Sequence, residues 1–530
     1  MKKLEIKEES DLPSIDIALD TIKKNKQALV FCNTRRSSEA TAEKIAKFIK
    51  TEDKELEKLS EKILKVLSSP TRQCKRLAYC VKHGTAFHHA GLASEQRKLV
   101  EDNFRNGLIK IICSTPTLAF GINLPAFRAI IKDLKRYGGK WGLQYIPTLE
   151  YHQMAGRAGR PDFNDEFGEA ICIAKKPDDV EEILEKFINA GPEEIYSKLA
   201  VEPVLRTYCL SLISTGFAKS EKLLMDFFEK TFYAHQYGDM AKLNQIIDKI
   251  LKYLEEWEFI KIISKGDKIK KDDFVSADVI RENISSKNKL EITPLGLRVS
   301  QLYLDPYTAH YIISCLRRAT QKQVTEFSFT QMACSTIELR PLNSVRVKEA
   351  EKIEADLAEL NEELIVFEPS IFNPDYNDFL KSIKTSLAMM AWMDEKNEDD
   401  ILEEFNIAPG ELHVKRNLCD WILYSSEELA KLLNFRDLIT HIRKTRFRLD
   451  KGIKEELIPL VRLRGIGRVR ARILYRNGIR NLGDVKKADI TKLMQLIGKK
   501  TAENIKKQVG QEVKEVKKGK RKGQTSIKKY

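Results

Sequence analysis

Five short apolar runs constrain the fold of this chain more than any other feature. "QALVFCN" (27–33), "LIKIICSTP" (108–116), "FRAIIKDL" (127–134) and "GEAICIAK" (168–175) read as buried strands, and "GTAFHHAG" (84–91) reads as a strand and turn. They are too short for buried helices and are apolar at successive positions, the pattern of strands covered on both faces. Helical patterns fall between them: residues 14–25, "TRRSSEATAEKIAKFIK" (34–50), in which Ser37 or Ser38 can cap the helix, and "SEQRKLVEDNFRNG" (94–107), closed by Gly107. The run "TEDKELEKLSEK" (51–62) reads as a solvated helix face. Strands alternating with helices predict an α/β domain built on a parallel sheet and ending near residue 190.

Beyond "NAGPEE" (189–194) the pattern turns helical. "VLRTYCLSLISTG" (204–216), "SEKLLMDFFEKTFYAH" (220–235) and "LNQIIDKILKYLEEWEFI" (243–260) predict three helices, and the stretch into "KLEITPLGLRVSQLYLDP" (289–306) predicts a closing β-hairpin, the layout of a winged helix. Residues 307 to about 455 read as helices throughout. At 530 residues the chain exceeds one core and predicts about three or four domains. The net charge of +15 sits at one end: residues 461–530 hold 22 Lys or Arg against 5 Asp or Glu, which points to a polyanionic partner there. No apolar run approaches the roughly 18–20 residues that span a bilayer, and "MKKLEIKEES" lacks the apolar stretch of a signal peptide, so a cytoplasmic chain without a membrane partner is expected. Nine cysteines without a C-x-x-C pair, and His83, His88 and His89 without a carboxylate or cysteine at ligand spacing, predict no metal site.

In open parallel sheets, ligands bind outside the carboxyl ends of the strands. "TRR" (34–36) and "STPTLAFGINLPA" (114–126) each follow a strand and can offer hydroxyls and backbone N–H groups to phosphate. "YHQMAGRAGRP" (151–161) adds two arginines among glycines, and the three loops are expected on one sheet edge. Arginine stays charged, and its planar fork brackets phosphate oxygens.

In this order, "FCNTRR", "FHHAGL", "STPTLAFGINLPA" and "QMAGRAGRP" resemble motifs IV, IVa, V and VI of the second RecA-like domain of superfamily 2 helicases. "KLAVEPVLRTYCLSLISTGFAKS", "LEITPLGLRVSQLYLDP", "IAPGEL" and "GIGRVRARILYRNGIRNLGDV" extend the resemblance over nearly the whole chain. The details are similar to the Ski-like branch, and most of all to the archaeal repair DNA helicases of the Hel or Hjm type. The resemblance implies a RecA-like α/β domain at 1–192, a winged helix at 193–300, a helical ratchet domain at 301–455, a helix-hairpin-helix domain at 456–510 and a basic tail at 511–530. It further implies an ATP-dependent helicase that moves 3′ to 5′ on single-stranded and forked DNA at stalled replication structures.

The sequence contains no G-x-x-x-x-G-K-[ST] and no D-E-x-H. The loop that cradles ATP phosphates and the carboxylates that hold Mg²⁺ are therefore expected on a second polypeptide carrying the first RecA-like domain, and this chain alone is expected not to hydrolyse ATP. A truncated product is the competing explanation. An ATPase-inactive DNA-binding protein and an RNA helicase subunit are the alternative functions; the latter is disfavoured by the lack of room for an arch insertion in the winged-helix region.

Carried over residue by residue, the resemblance implies that Arg157 and Arg160 face the γ-phosphate, with Arg160 as the inserted finger. Gln153 contacts phosphate or the attacking water, and Gly121 and Asn123 link nucleotide to DNA. Thr34, Arg35, Thr115 and Thr117 hold the backbone of the translocating strand, a contact that does not read bases. "LKRYGGKWGLQYI" (134–146) reads as two strands about a Gly-Gly turn. In the family this hairpin separates strands, with Tyr137 or Trp141 stacking on the opening base pair; a plain surface hairpin is the other reading. On "KSIKTSLAMMAWMDEK" (381–396), Trp392 resembles the tryptophan that stacks on single-stranded bases, although a tryptophan at helical spacing is more often core. Lys384 lies near the same face and is expected to meet phosphate, while Thr385 stands where the family often has its basic residue. The Gly465-Ile466-Gly467 turn opens a helix whose N–H groups, with Arg468, Arg470 and Arg472, are expected to bind DNA phosphate.

Overall fold

In chain order the strands are β1 (Ala28–Phe31), β2 (Thr85–His88), β3 (Ile111–Ser114), β4 (Arg128–Ile131), the antiparallel pair β5 (Lys135–Tyr137) and β6 (Leu143–Tyr145), and β7 (Glu169–Cys172). The computed structural model describes residues 5–50, 53–67, 70–120, 123–137, 143–160, 165–199, 201–238, 240–264 and 288–511. Five strands form one parallel sheet in the order β2-β3-β1-β4-β7, with Ala28 opposite both Ile111 and Arg128. The residues of β1 to β4 are all buried, as their unbroken apolar runs require, because helices cover both faces.

Those helices are α1 (Pro13–Lys23), α2 (Arg35–Phe48), α3 (Lys54–Leu64), α4 (Arg72–Lys82), α5 (Ser94–Arg105) and α6 (Thr148–Ala155). Two differ from expectation. Helix α2 starts at Arg35, because the Thr34 hydroxyl accepts from the Ser37 N–H at 3.1 Å and takes the capping place expected of Ser37 or Ser38. Helix α3 is solvated on one side only: Leu56, Leu59 and Ile63 are buried where it packs on α4, a helix not singled out from the sequence. Arg128, at the start of β4, is fully buried. Its guanidinium ties α1 to the sheet through Asp20 at 2.5 Å and Thr21 at 3.0 Å, and reaches Glu169 on β7.

The chain divides into two compact units, Met1–Pro306 with Asn397–Lys415, and Tyr307–Lys396 with Arg416–Tyr530. The first unit continues past the sheet with helices Glu202–Ser214, Glu221–Phe228, Phe232–Tyr237 and Met240–Glu256, and with strands Ile260–Ser264 and Asn288–Ile292 paired antiparallel. This is the winged-helix layout, with the second expected helix broken in two. The Arg206 guanidinium, buried in the first of these helices, is bound bidentately by Asp305 at 2.8 and 3.0 Å.

In the second unit, helix Glu326–Cys334 packs against Tyr376–Met393 and Arg436–Lys451. Phe327, Ile353, Leu357, Phe379 and Ile383 fill one apolar cluster. A separate cluster from Ile453 to Ile505 holds helices Arg468–Arg476, Leu482–Lys487, Ile490–Ile497 and Lys499–Gln508 together. The fold class is thus a RecA-like parallel sheet followed by mostly helical domains ending in helix-hairpin-helix. The tail expected from residue 511 lies outside the described residues except for Gln511.

Gly159 has φ +99° and packs against Gly168; a Cβ on Gly168 would land on the backbone of Ala158 and Gly159. Replacing Gly168 with alanine is expected to cost about 1–3 kcal/mol through overpacking, read as a lower midpoint in urea unfolding.

Candidate functional site

Two loops meet at the carboxyl edge of the sheet. Asn33, Thr34 and Arg35 follow β1, and Thr115, Pro116 and Thr117 follow β3. Together with Ala90, Asp133 and Arg136 they line a cleft of about 410 Å³. The structure therefore brings together the four residues expected on a nucleic-acid backbone. Thr115 and Thr117 share a hydroxyl hydrogen bond of 2.9 Å, and Thr34 keeps its own O–H to donate while its oxygen caps α2. Arg35 is ion-paired with Glu411 at 2.7 Å.

The glycine-rich segment after α6 does not share that edge, contrary to expectation. Ala126 donates to Arg157 O at 2.9 Å and accepts from Gly159 N at 2.7 Å, so the segment is stitched to the start of β4, at the amino ends of the strands. Helix α6 crosses the sheet face: Glu150 lies at the cleft, bound to Arg136 at 2.9 Å, and the arginines lie at the other end. Its amino end is capped from 45 residues away, where the Glu193 carboxylate accepts from Thr148 N and, at 2.9 Å, from Leu149 N. These backbone hydrogen bonds hold the Glu193 carboxyl down at about 2.

The two arginines are in different states. Arg160 is 5% exposed; its Nε donates to Asp165 at 2.8 Å and its Nη1 to Gln27 at 2.6 Å. Lys26 also pairs with Asp165. Burial alone would raise the Asp165 carboxyl, but hydrogen bonds from Arg160 and Lys26 hold it below the usual carboxylate range. Arg157 is half-buried and donates from Nη2 to Ala119 O. Its Nε, and the Oε1 of Gln153 one turn earlier, are buried without a hydrogen-bond partner among the described residues. Unpaired buried groups of this kind are costly, and a phosphate with its bound water would satisfy both, the anion taking the Nε proton and the water donating to Oε1. Asn123 is exposed in the crossing from β3 to β4, and Gly121 lies outside the described residues. Arg157 and Gln153 would suit one wall of a site for ATP with Mg²⁺, and the sequence holds neither a G-x-x-x-x-G-K-[ST] loop nor the carboxylates of a D-E-x-H motif.

The remaining expectations fare unevenly. The hairpin forms, with Lys135 opposite Tyr145, but Trp141 and the Tyr137 side chain lie outside the described residues. Lys384, expected to meet phosphate, is 3% exposed, and its ammonium donates to Glu349 at 2.7 Å and Ser344 O at 2.9 Å inside the helical bundle. Trp392 is half-buried and donates from its indole to Leu449 O at 2.8 Å, with the Arg416 and Arg468 guanidinium carbons 4.0 and 4.8 Å from its ring centroid. Arg468 also donates to Glu395 O and Lys396 O, and Arg472 is held by Glu395 and Glu456 at 2.6 to 2.9 Å. Arg470 alone of the three arginines is exposed.

His88 and His89 meet carboxylates from distant elements, Glu101 at 2.9 Å and Glu39 at 3.1 Å. Among the described residues no group of three His, Cys, Asp or Glu is placed to hold a metal ion, and no helix is long and apolar enough to cross a membrane. Sequence reading missed Gln27, Asp165 and Glu193. It also missed a second glycine turn at Gly498, which precedes Lys499 and Lys500 at a helix start much as Gly467 precedes Arg468.

Four family patterns match in sequence: "Helicase conserved C-terminal domain" over 43–162, "Helix-turn-helix domain" over 168–261, "Archaeal helicase, domain 4" over 327–452 and "SAM-like Helix-hairpin-helix tandem" over 457–510. The ATP-dependent DNA helicase Hel308 of Pyrococcus horikoshii is 39% identical over 511 residues, 95% of this chain and 67% of the relative. The chain belongs to the Hel308 family. The Hel308 proteins of Methanocella arvoryzae and Methanococcus vannielii are each 38% identical, over 94% and 92% of this chain and 64% and 66% of their own length. The chain thus spans about two thirds of the length of its Hel308 relatives.

Two outcomes follow for this Hel308-family site. Arg160→Ala leaves Asp165 with half of its buried pairing and Gln27 with an unmet oxygen, and is expected to cost about 3 kcal/mol in urea unfolding; Arg157→Ala is expected to cost under about 1 kcal/mol. Glu193 has a folded pKa below its unfolded one, so its contribution is full above about pH 4.5 and is lost as pH falls towards 2. The stability gap between wild type and Glu193→Gln, measured by thermal unfolding, is expected to close over that window.

Proposed function

We propose that this chain supplies the second RecA-like half and the DNA-gripping domains of an ATP-dependent DNA helicase that moves 3′ to 5′ and opens forked or stalled replication structures. One observation carries the reading: the buried Gln153 Oε1 and Arg157 Nε, without hydrogen-bond partners among the described residues, lie on and just before a segment stitched to the loop whose other end lines the cleft. Arg157 meets the γ-phosphate and Gln153 the phosphate or the attacking water, where fixed donors stabilise developing charge. Arg160 joins by exchanging Asp165 and Gln27 for phosphate, and Lys26 then keeps Asp165 paired. Thr34, Thr115 and Thr117 hold the strand backbone, and the exposed Arg470 adds charge on the helix-hairpin-helix domain. The phosphate loop and the Mg²⁺ ligands come from a first RecA-like domain. The named activity of the Hel308 relatives supports this reading.

The test mixes this chain with the first RecA-like domain of a Hel308 relative and measures ATP hydrolysis with and without forked DNA. DNA-stimulated hydrolysis is expected in the mixture alone, and Arg157→Ala is expected to lower it by about 10³-fold. A mixture that stays inert while this chain still binds forked DNA would establish a DNA-binding protein without ATPase activity instead.

A further inference from the structure

The loop that leaves β3 carries one large apolar side chain in the open. Pro116–Ala119 form a 3₁₀ turn, in which Leu118 N donates to Thr115 O at 3.1 Å and Phe120 N to Thr117 O at 3.3 Å. Side chains three residues apart eclipse in such a turn, so Thr117 and Phe120 leave from one face while Leu118 and Ala119 enter the core of the sheet domain. Burial follows that division: Leu118 and Ala119 are 1% and 2% exposed, and Phe120 is 45% exposed. The turn is held at both ends. Pro116 fixes the backbone at its start, and Arg157 Nη2 donates to Ala119 O at its finish. Phe120 is thus an aromatic ring on a stiff mount, whose backbone has little freedom left to lose on binding.

A single exposed phenylalanine is common on a protein surface, and its company decides what it means. Phe120 lines the same cleft of about 410 Å³ as Thr34, Arg35, Thr115 and Thr117. That volume falls within the ~300–1,000 Å³ of sites that take a small ligand. Ala90, Pro116 and Ile146 line it too, so apolar groups share the cleft with hydroxyls and a guanidinium. Its two carboxylates are engaged: Glu150 accepts from Arg136 at 2.9 Å, and Asp133 accepts from Asn33 N at 3.5 Å. Phosphate donors and an aromatic face in one cleft match the two unlike parts of a nucleotide, its charged backbone and its flat base. We propose that Phe120 stacks on a base of the strand whose backbone Thr34, Arg35, Thr115 and Thr117 hold, so that this domain grips a base as well as phosphates. Every base has a π-face, and the stack therefore adds affinity without selecting sequence. Sequence reading missed Phe120, because a phenylalanine next to Leu118 and Ala119 reads as core.

The inference rests on the reading that the cleft holds a nucleic-acid strand, and its test separates the two. Binding of the full chain is measured to oligo-dT and to a strand of the same length with abasic sugars in place of the thymidines. Phe120→Ala is expected to weaken binding of oligo-dT about tenfold and to leave the abasic strand within about twofold; Phe120→Tyr keeps both affinities within about twofold. Arg35→Ala, which removes a phosphate contact, is expected to weaken both strands alike and to lower the salt slope of binding by about 0.7, a slope that Phe120→Ala leaves unchanged. When one thymine is replaced by 5-iodouracil and the complex is irradiated, a cross-link is expected within residues 111–128 of wild type and not of Phe120→Ala. An equal loss on both strands in Phe120→Ala, or a cross-link that persists in that variant, overturns the inference. A loss in Arg35→Ala with none in Phe120→Ala overturns the inference alone. An Arg35→Ala chain that binds both strands as wild type does overturns the strand-holding reading of the cleft and the inference with it.

Discussion

The two backbone hydrogen bonds between Ala126 and the Arg157–Gly159 segment hold the candidate site together. They join the loop that leaves β3 to the segment that leaves α6, so that neither can move without the other. At about 1.5 Å per residue the eight residues of α6 cover about 12 Å, close to the roughly 13 Å of a four-residue strand, so one short helix runs from the cleft to the opposite edge. The chain between Thr115 and Ala126 makes the same crossing, because a link between parallel strands must return from a carboxyl end to an amino end. The groups proposed to face phosphate and those proposed to hold a strand thus sit at opposite ends of two elements tied to each other.

Around this frame, cations are used mainly as internal ties. Arg128, Arg160, Arg206, Lys384 and Arg472 each meet carboxylates inside their own unit, most of them buried. Breaking such a pair leaves an uncompensated charge, and for that reason these residues report on folding as much as on binding. Arg470 is exposed and donates to Gly465 O at 2.8 Å, and among the described residues the buried Arg157 Nε has no hydrogen-bond partner.

Much of the architecture was legible in the sequence. Unbroken apolar runs marked β1, β3 and β4 because strands covered on both faces cannot alternate; the run at β7 marked a strand, but one that lies at the sheet edge and is only partly buried, and Gly107, with φ +77°, closed α5 as expected. The order of the loops marked the family. The two sides of α3 were legible but hidden among its charges: Leu56, Leu59 and Ile63 recur at helical spacing, as do Cys74, Leu77, Ala78 and Val81 on its partner α4. Thr34, Thr115 and Thr117 were legible as a group because each follows a strand whose end is fixed by the sheet. The surroundings of Lys384 were not legible because helical spacing fixes which face a side chain leaves from, not which partner waits there; Glu349 waits 35 residues earlier.

The sequence by itself determined the strand–helix alternation, the helical character of the later domains, the motif order and the absence of a phosphate loop between residues 1 and 530, since these depend on neighbours within a few turns. Only the tertiary structure decided which cations are committed, that the arginine segment lies across the sheet from the cleft, and that Asn397–Lys415 belongs with the sheet. Each of those depends on contacts between residues far apart in the chain. Gln27 reaches Arg160 across 133 positions and Asp399 reaches Arg72 across 327, distances at which local periodicity carries no information.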